Sequence, residues 1–219
     1  MSYYNSGNRM QRTTPVVFNL LIINGLVFLA QQFLTATGIN EWGPLYGYKS
    51  DFFKPYQLIT HMFMHGGIAH ILFNMFGLWM FGSILEKAWG SKKFLIFYML
   101  CGIVAGAAEM FVLKDVLKYD AVLGQNILYL GQAVGASGAI MGVMAAFAYL
   151  FPNTPLYVMF IPVPVKAKFV IPAFILIDLF GGLYKIPGDN IAHFAHLGGA
   201  LTGFILVLIW NKTNRKTFY

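Results

Sequence analysis

The sequence predicts an all-α, polytopic membrane protein with six transmembrane helices. Three observations support that expectation. The chain has 219 residues, of which 58% are hydrophobic and 17% aromatic. Only 11% are charged, against roughly 25% in ordinary soluble domains, and the mean hydropathy is +0.65. Apolar runs of about 17 to 25 residues, the length that crosses a hydrocarbon core, recur along the chain. This balance argues against a soluble enzyme.

The runs fall in order at about Val16 to Thr35, Ile68 to Leu85, Phe94 to Leu113, Ser137 to Phe151, Phe169 to Leu183 and Ile191 to Trp210. The fourth and fifth are short for a full crossing. No repeat, low-complexity tract or soluble appendage interrupts them, so residues 1–219 read as one membrane domain with short tails at about 1–14 and 211–219. The start, MSYYNSGNRMQRTTP, lacks the basic and apolar segments and the small-residue cleavage site of a signal peptide, so the first helix is expected to stay. The segment PNTPLYVMFIPVPVKAKF is apolar but broken by Pro152, Pro155, Pro162 and Pro164. It reads as an extended interfacial stretch, not a seventh span.

Lys and Arg in short loops favour the cytoplasmic side. Six spans put both termini on one side, together with Arg9, Arg12, Lys87, Lys92, Lys93, Lys166, Lys168, Lys212, Arg215 and Lys216. Lys49, Lys54, Lys114, Lys118 and Lys185 fall on the other, so both termini are expected in the cytoplasm. The net charge of +7 then reflects anchoring to anionic lipid and needs no nucleic acid. Cys101, the one cysteine, sits mid-span and forms no internal disulfide.

With that orientation the second, fourth and sixth helices start at the same membrane face. From Ser137 to Phe151 is about 22 Å at 1.5 Å per residue, short of a core about 30 Å thick, which sinks Ser137 below the outer surface. His196 lies about seven residues past Asp189, where the sixth helix is expected to begin, and so about 10 Å below the same surface. Gly138 and Gly142 form one G-x-x-x-G face, and Gly199 and Gly203 another. Such faces are packing devices that let two backbones approach closely, and close approach is also what a serine–histidine hydrogen bond requires.

In HMFMHGGIAHILFNM, His70 and Asn74 stand one turn apart on one face. Polar side chains in an apolar helix serve either as interhelical glue or in a functional cavity. Together the four groups suit acyl transfer. Ser137 is a nucleophile once His196 takes its proton, and the Ser137 N–H with the side chains of His70 and Asn74 can meet an oxyanion. The glycines of GASG, Gly135 and Gly138, permit close backbone approach and leave the hydroxyl unobstructed.

On HGGIAHILFNMFGLW, GSILEKAWGS, GASGAIMG and AHLGGALTG, from about Val16 to Trp210, the chain resembles the rhomboid family of intramembrane serine proteases. The resemblance implies a six-helix bundle with a wet active site below the outer surface, Ser137 as nucleophile, and His196 as its base in a dyad without a third acid. It also implies His70 and Asn74 as oxyanion partners. Substrates are expected to be single-span membrane proteins met in lipid, and neither metal nor cofactor is implied.

Two departures are visible. Tyr56 and Gln57 replace a Trp-Arg pair of the first long outer loop, and Met141 stands where an aromatic residue stacks on the histidine. A glutamate at the position of Glu86 ties down the inner loop in that family. His61 and His65 are expected to organise the loop before the second helix, and His193 to be a hydrogen-bonding neighbour of His196. Glu109 and Asp178 lie within spans without an evident basic partner in sequence, and no function is assigned to them.

Competing chemistries fit less well. His61 and His65 have zinc-protease spacing, but Met62 occupies the glutamate position. Asp178 has no aspartate partner for an aspartyl protease, and a transporter would show repeats. The remaining rival is a rhomboid-like, non-catalytic protein that binds membrane clients. A bacterial inner membrane is the expected location, from a compact core without a mitochondrial-type presequence.

Overall fold

The computed structural model describes residues 13–120, 125–158, 163–184 and 191–213. Among them, five helices are long and apolar enough to cross a membrane: α1 (Pro15–Phe33), α2 (Ile68–Trp89), α3 (Ser91–Met110), α5 (Ala167–Tyr184) and α6 (His193–Thr213). A sixth, α4 (Ser137–Leu150), has 14 residues, about 21 Å at 1.5 Å per residue. Most of the expected tails, with Arg9, Arg12, Arg215 and Lys216, lies outside the described residues, as do Pro162, Lys185 and Asp189; residues 211–213 belong to α6.

Glycine determines where the bundle is tightest. A Cβ built on Gly142 of α4 would sit 2.8 Å from the Gly199 carbonyl oxygen of α6, and one on Gly138 would sit 3.2 Å from that of Ala195. On the facing side, Gly199 and Gly203 lie against the carbonyls of Gly138 and Gly142 closely enough that any side chain would overlap them. The two G-x-x-x-G faces therefore meet each other, with backbone against backbone. Helix α3 closes the third side, since the same Gly138 and Gly142 positions abut Ala105 Cβ and Cys101 Sγ. Without a hydrophobic force between helices in lipid, this van der Waals contact is what drives association.

The larger side chains fill the space between α1, α2, α3 and α4. Val17, Leu78, Leu85, Phe94, Phe97, Tyr98 and Phe147 are all buried there. Helix α2 carries a π-helical turn at Leu78–Gly82, and Gly82 in it packs against Val17 and Phe94. At the end of α2, Glu86 is 1% exposed. Its carboxylate accepts the Val16 and Val17 N–H groups at 2.9 and 2.8 Å and the Ser91 hydroxyl at 2.7 Å. One buried anion thus caps the start of α1 and holds the α2–α3 connection, near the positive end of the α1 dipole.

Short strands trim the loops. β1 (Leu45–Tyr46) pairs with β4 (Gln132–Ala133), β2 (Val116–Asp120) with β3 (Gln125–Tyr129), and β5 (Pro155–Leu156) with β6 (Val165–Lys166), all antiparallel. The β1–β4 pair ties the loop after α1 to the segment that leads into Ser137. Within the loop before α2, Gln57 is 1% exposed. Its amide donates to the Trp42 and Phe52 carbonyls at 3.3 and 3.1 Å and accepts the Lys54 N–H at 3.0 Å. A neutral amide therefore organises this loop at the position where the resemblance would place an arginine.

Candidate active site

Ser137 is the first residue of α4, preceded by Ala136 at the cap, and no side chain caps this helix. The serine hydroxyl is turned elsewhere: its oxygen lies 2.7 Å from His196 Nε2. The hydroxyl therefore does not serve as a helix cap. What brings the pair together is the glycine seam, because α4 and α6 approach at Gly138 and Gly199, one residue after the serine and three after the histidine.

The other imidazole nitrogen, His196 Nδ1, is 2.9 Å from Asp178 Oδ1 on α5, and His193 Nδ1 is 2.8 Å from the same oxygen. Asp178 is thus partnered by two histidines, contrary to the sequence reading that found it no partner. His193 and His196 are neighbours through this shared carboxylate. Glu109, the second acid within a span, accepts the Ala195 N–H at 2.9 Å. It satisfies one of the backbone donors that a helix start leaves open, from a neighbouring helix. The first turn of α6 is therefore held from α3 through its backbone and from α5 through its side chains.

On α2, the Gly66 N–H donates to His70 Nδ1 at 3.3 Å. A ring nitrogen that accepts is unprotonated, so the hydrogen of neutral His70 resides on Nε2. That atom faces Gly135: a Cβ there would lie 2.7 Å from His70 Nε2 and 3.6 Å from Ser137 Oγ. Gly135 has φ +126°, a conformation that side chains rarely adopt. Its N–H is held by the His61 carbonyl at 2.9 Å. Asn74, 6% exposed, donates one amide hydrogen to the His70 carbonyl at 2.8 Å, which leaves a second for another acceptor.

Met141 is buried with Ala145 and Ala200, beside Met144 and Ile175. The loop histidines support the site from behind. His61 donates Nδ1–H to the Gln57 carbonyl at 2.7 Å, and burial pulls its pKa down to about 4. His65 exchanges backbone hydrogen bonds with the Gln31 side chain at 2.9 and 3.2 Å, and its ring meets that of His70 edge-on at 5.2 Å. Burial, with His70 close by, lowers its pKa to about 4 as well. Among the described residues no group of three or more His, Cys, Asp or Glu side chains is arranged to hold a metal ion.

The family model for the rhomboid domain matches residues 53–212, most of the chain, including the helices that carry Ser137, His196, His70 and Asn74. The chain belongs to the rhomboid family. Rhomboid-like protein 11, chloroplastic, of Arabidopsis thaliana is 29% identical over 92% of this rhomboid chain and 68% of its own length. RHOMBOID-like protein 12, mitochondrial, of the same plant is 31% identical over 93% and 60%. Rhomboid protease GlpG of Pectobacterium atrosepticum is 24% identical over 94% and 67%. The chain thus spans about two thirds of the length of these relatives, one of which is named a protease. With its apolar helices, this rhomboid is a multi-pass membrane protein.

Proposed function

We propose that this rhomboid is an intramembrane serine endopeptidase that hydrolyses peptide bonds in or near the transmembrane segments of single-span proteins. The observation that carries the reading is the 2.7 Å contact between Ser137 Oγ and His196 Nε2. Ser137 attacks the scissile carbonyl carbon as its hydroxyl proton passes to His196 Nε2. The C–O bond forms, and negative charge develops on the carbonyl oxygen. The Ser137 N–H at the helix start, His70 Nε2–H and the Asn74 amide meet that charge, with the positive end of the α4 dipole behind them. His196 then gives its proton to the leaving nitrogen, the C–N bond breaks, and water repeats the cycle on the acyl-enzyme with His196 again as base.

Gly135 keeps the space between His70 and Ser137 open for the substrate carbonyl, and Gly138 and Gly199 hold the two catalytic helices together. Met141, beside Ile175 in the neighbouring helix, fills the wall near the base. No metal or cofactor enters this chemistry. Ambient lipid is the medium through which a substrate reaches the site.

The reading extends to a bacterial inner membrane, and to both termini in the cytoplasm, the orientation being supported by the excess of Lys and Arg on the terminal side of the spans. The relatives named for chloroplast and mitochondrion have the same domain. Protease protection of a terminal tag, with fractionation of the source cells, decides both points.

The test of function is cleavage in liposomes of a single-span model substrate, with fragment masses read out beside those from Ser137→Ala. Two fragments that meet at one bond in or beside the span, formed by the parent alone, are expected. Substrate that stays intact while it co-purifies with the folded parent would transfer the assignment to client binding without catalysis.

A further inference from the structure

Asp178 has no place in a serine–histidine dyad, yet its carboxylate is the most constrained polar group beside it. Two imidazole nitrogens, His196 Nδ1 and His193 Nδ1, converge on its Oδ1 at 2.9 and 2.8 Å. The three side chains are only 17%, 10% and 12% exposed for His196, His193 and Asp178. A carboxylate only accepts, so both nitrogens must carry hydrogen. For His196 that choice of tautomer leaves Nε2 bare, directed at the Ser137 hydroxyl, which is the form a general base needs.

We propose that Asp178 is a positioning residue that completes a Ser137–His196–Asp178 relay, and that His193 clamps its carboxylate. The proposal rests on the endopeptidase reading. Asp178 fixes the His196 tautomer and ring orientation in the resting site. When His196 takes the serine proton, the carboxylate faces the imidazolium at hydrogen-bond distance and offsets its charge, while the proton stays on histidine. His193 holds the same oxygen from the preceding turn of α6.

The packing is built around this clamp: Gly181 of α5 carries no side chain, and a Cβ there would lie 2.5 Å from His193 Nε2. The helix that bears Asp178 and the helix that bears the base are thereby locked at the depth of the nucleophile. The other titratable groups facing His196 are His70 from α2 and Glu109 from α3, both within electrostatic reach. Ser137 faces it from α4. Glu109 is engaged with the Ala195 backbone and His70 with the Gly66 N–H, which leaves Asp178 as the anion in direct contact with the ring.

The test is the split between kcat and KM for cleavage of a model substrate by the parent, Asp178→Asn and His193→Ala. Asp178→Asn should lower kcat by about 10²- to 10⁴-fold with KM little changed, the range over which positioned acid–base groups contribute. His193→Ala should show a smaller loss in kcat. A loss shared between kcat and KM reduces Asp178 to scaffolding, and undiminished kcat overturns the relay.

Should Asp178→Asn fail to fold, ¹⁵N-histidine spectra of the parent read the tautomer directly, with His196 assigned by its loss in His196→Ala. The relay requires the proton on Nδ1, and a proton on Nε2 contradicts it. A parent that cleaves nothing but shows the Nδ1–H tautomer would sink the endopeptidase reading and leave the Asp178 pairing standing.

Discussion

Ser137 Oγ and His196 Nε2 are 59 residues apart in sequence and 2.7 Å apart in space, joined by a seam of glycines in which Gly199 lies against the Gly138 carbonyl. The contact follows from helix packing and not from a loop, so the reacting pair inherits the rigidity of the bundle. Substitutions in the seam, in the carbonyl slot and in the supporting loop should separate stability from chemistry.

Gly199→Ala tests the seam. Its new methyl runs into the Gly138 carbonyl, and overpacking of this kind costs about 1–3 kcal/mol. Thermal unfolding in detergent should show the loss, and cleavage should fall with it because α4 and α6 are pushed apart at the site. An unchanged unfolding temperature would mean that the helices are free to separate.

Gly135→Ala tests the slot. The methyl would stand 2.7 Å from His70 Nε2 on a backbone with φ +126°. Turnover should drop by on the order of 10²-fold or more, as for loss of an oxyanion donor. Substrate binding, measured by pull-down on a Ser137→Ala background, should be less affected than turnover. Equal losses of binding and turnover would point to a general collapse of the loop.

Asn74→Ala removes one amide donor while the Ser137 N–H and His70 remain. The expected cost is about 10²- to 10³-fold in kcat, with measurable residual cleavage. Undiminished turnover would remove Asn74 from the oxyanion role and leave it as an interhelical tie through the His70 carbonyl.

The loop histidines predict a pH dependence of stability. Burial lowers the pKa of His61 from 6.5 to about 4, so the unfolded chain takes up the proton first as pH falls. Folding stability should therefore decline from about pH 6.5 towards pH 4, because the unfolded state binds more protons throughout that window. His65, lowered to about 4 in the same way, adds to the slope. Unfolding temperatures of the parent and of His61→Gln across this range check it, and the variant should show a shallower slope. Identical slopes would mean that other groups carry the dependence.

Much of this could be read in the residues because a bilayer imposes a depth scale. The short fourth span and the shared starting face of the even-numbered helices point to one level for Ser137 and His196, and G-x-x-x-G spacing supplies the reason for contact. The expected start of the sixth helix near Asp189 is not what the structure shows, since α6 begins at His193, three residues before His196. Asp178 escaped that reading, although the same arithmetic reaches it: it lies six residues before Tyr184, about 9 Å from the end of its helix. No basic residue stands near it in sequence, and its partners are histidines 15 and 18 residues on, on the next helix. Glu109 was opaque for a different reason, since its partner is a backbone N–H, and a helix start exposes several of these whatever the side chains are. The β2–β3 hairpin lies between spans and rests on backbone pairing, to which hydropathy is blind.

The account turns on His196 activating Ser137, and the most direct measurement is covalent labelling of Ser137 by a serine-directed fluorophosphonate, mapped by mass spectrometry in the parent and in His196→Ala. The account predicts one adduct on Ser137 in the parent and its near-complete loss in His196→Ala, although the serine is still present and the protein still folded. Labelling of Ser137 at the parent's rate without His196 would contradict it.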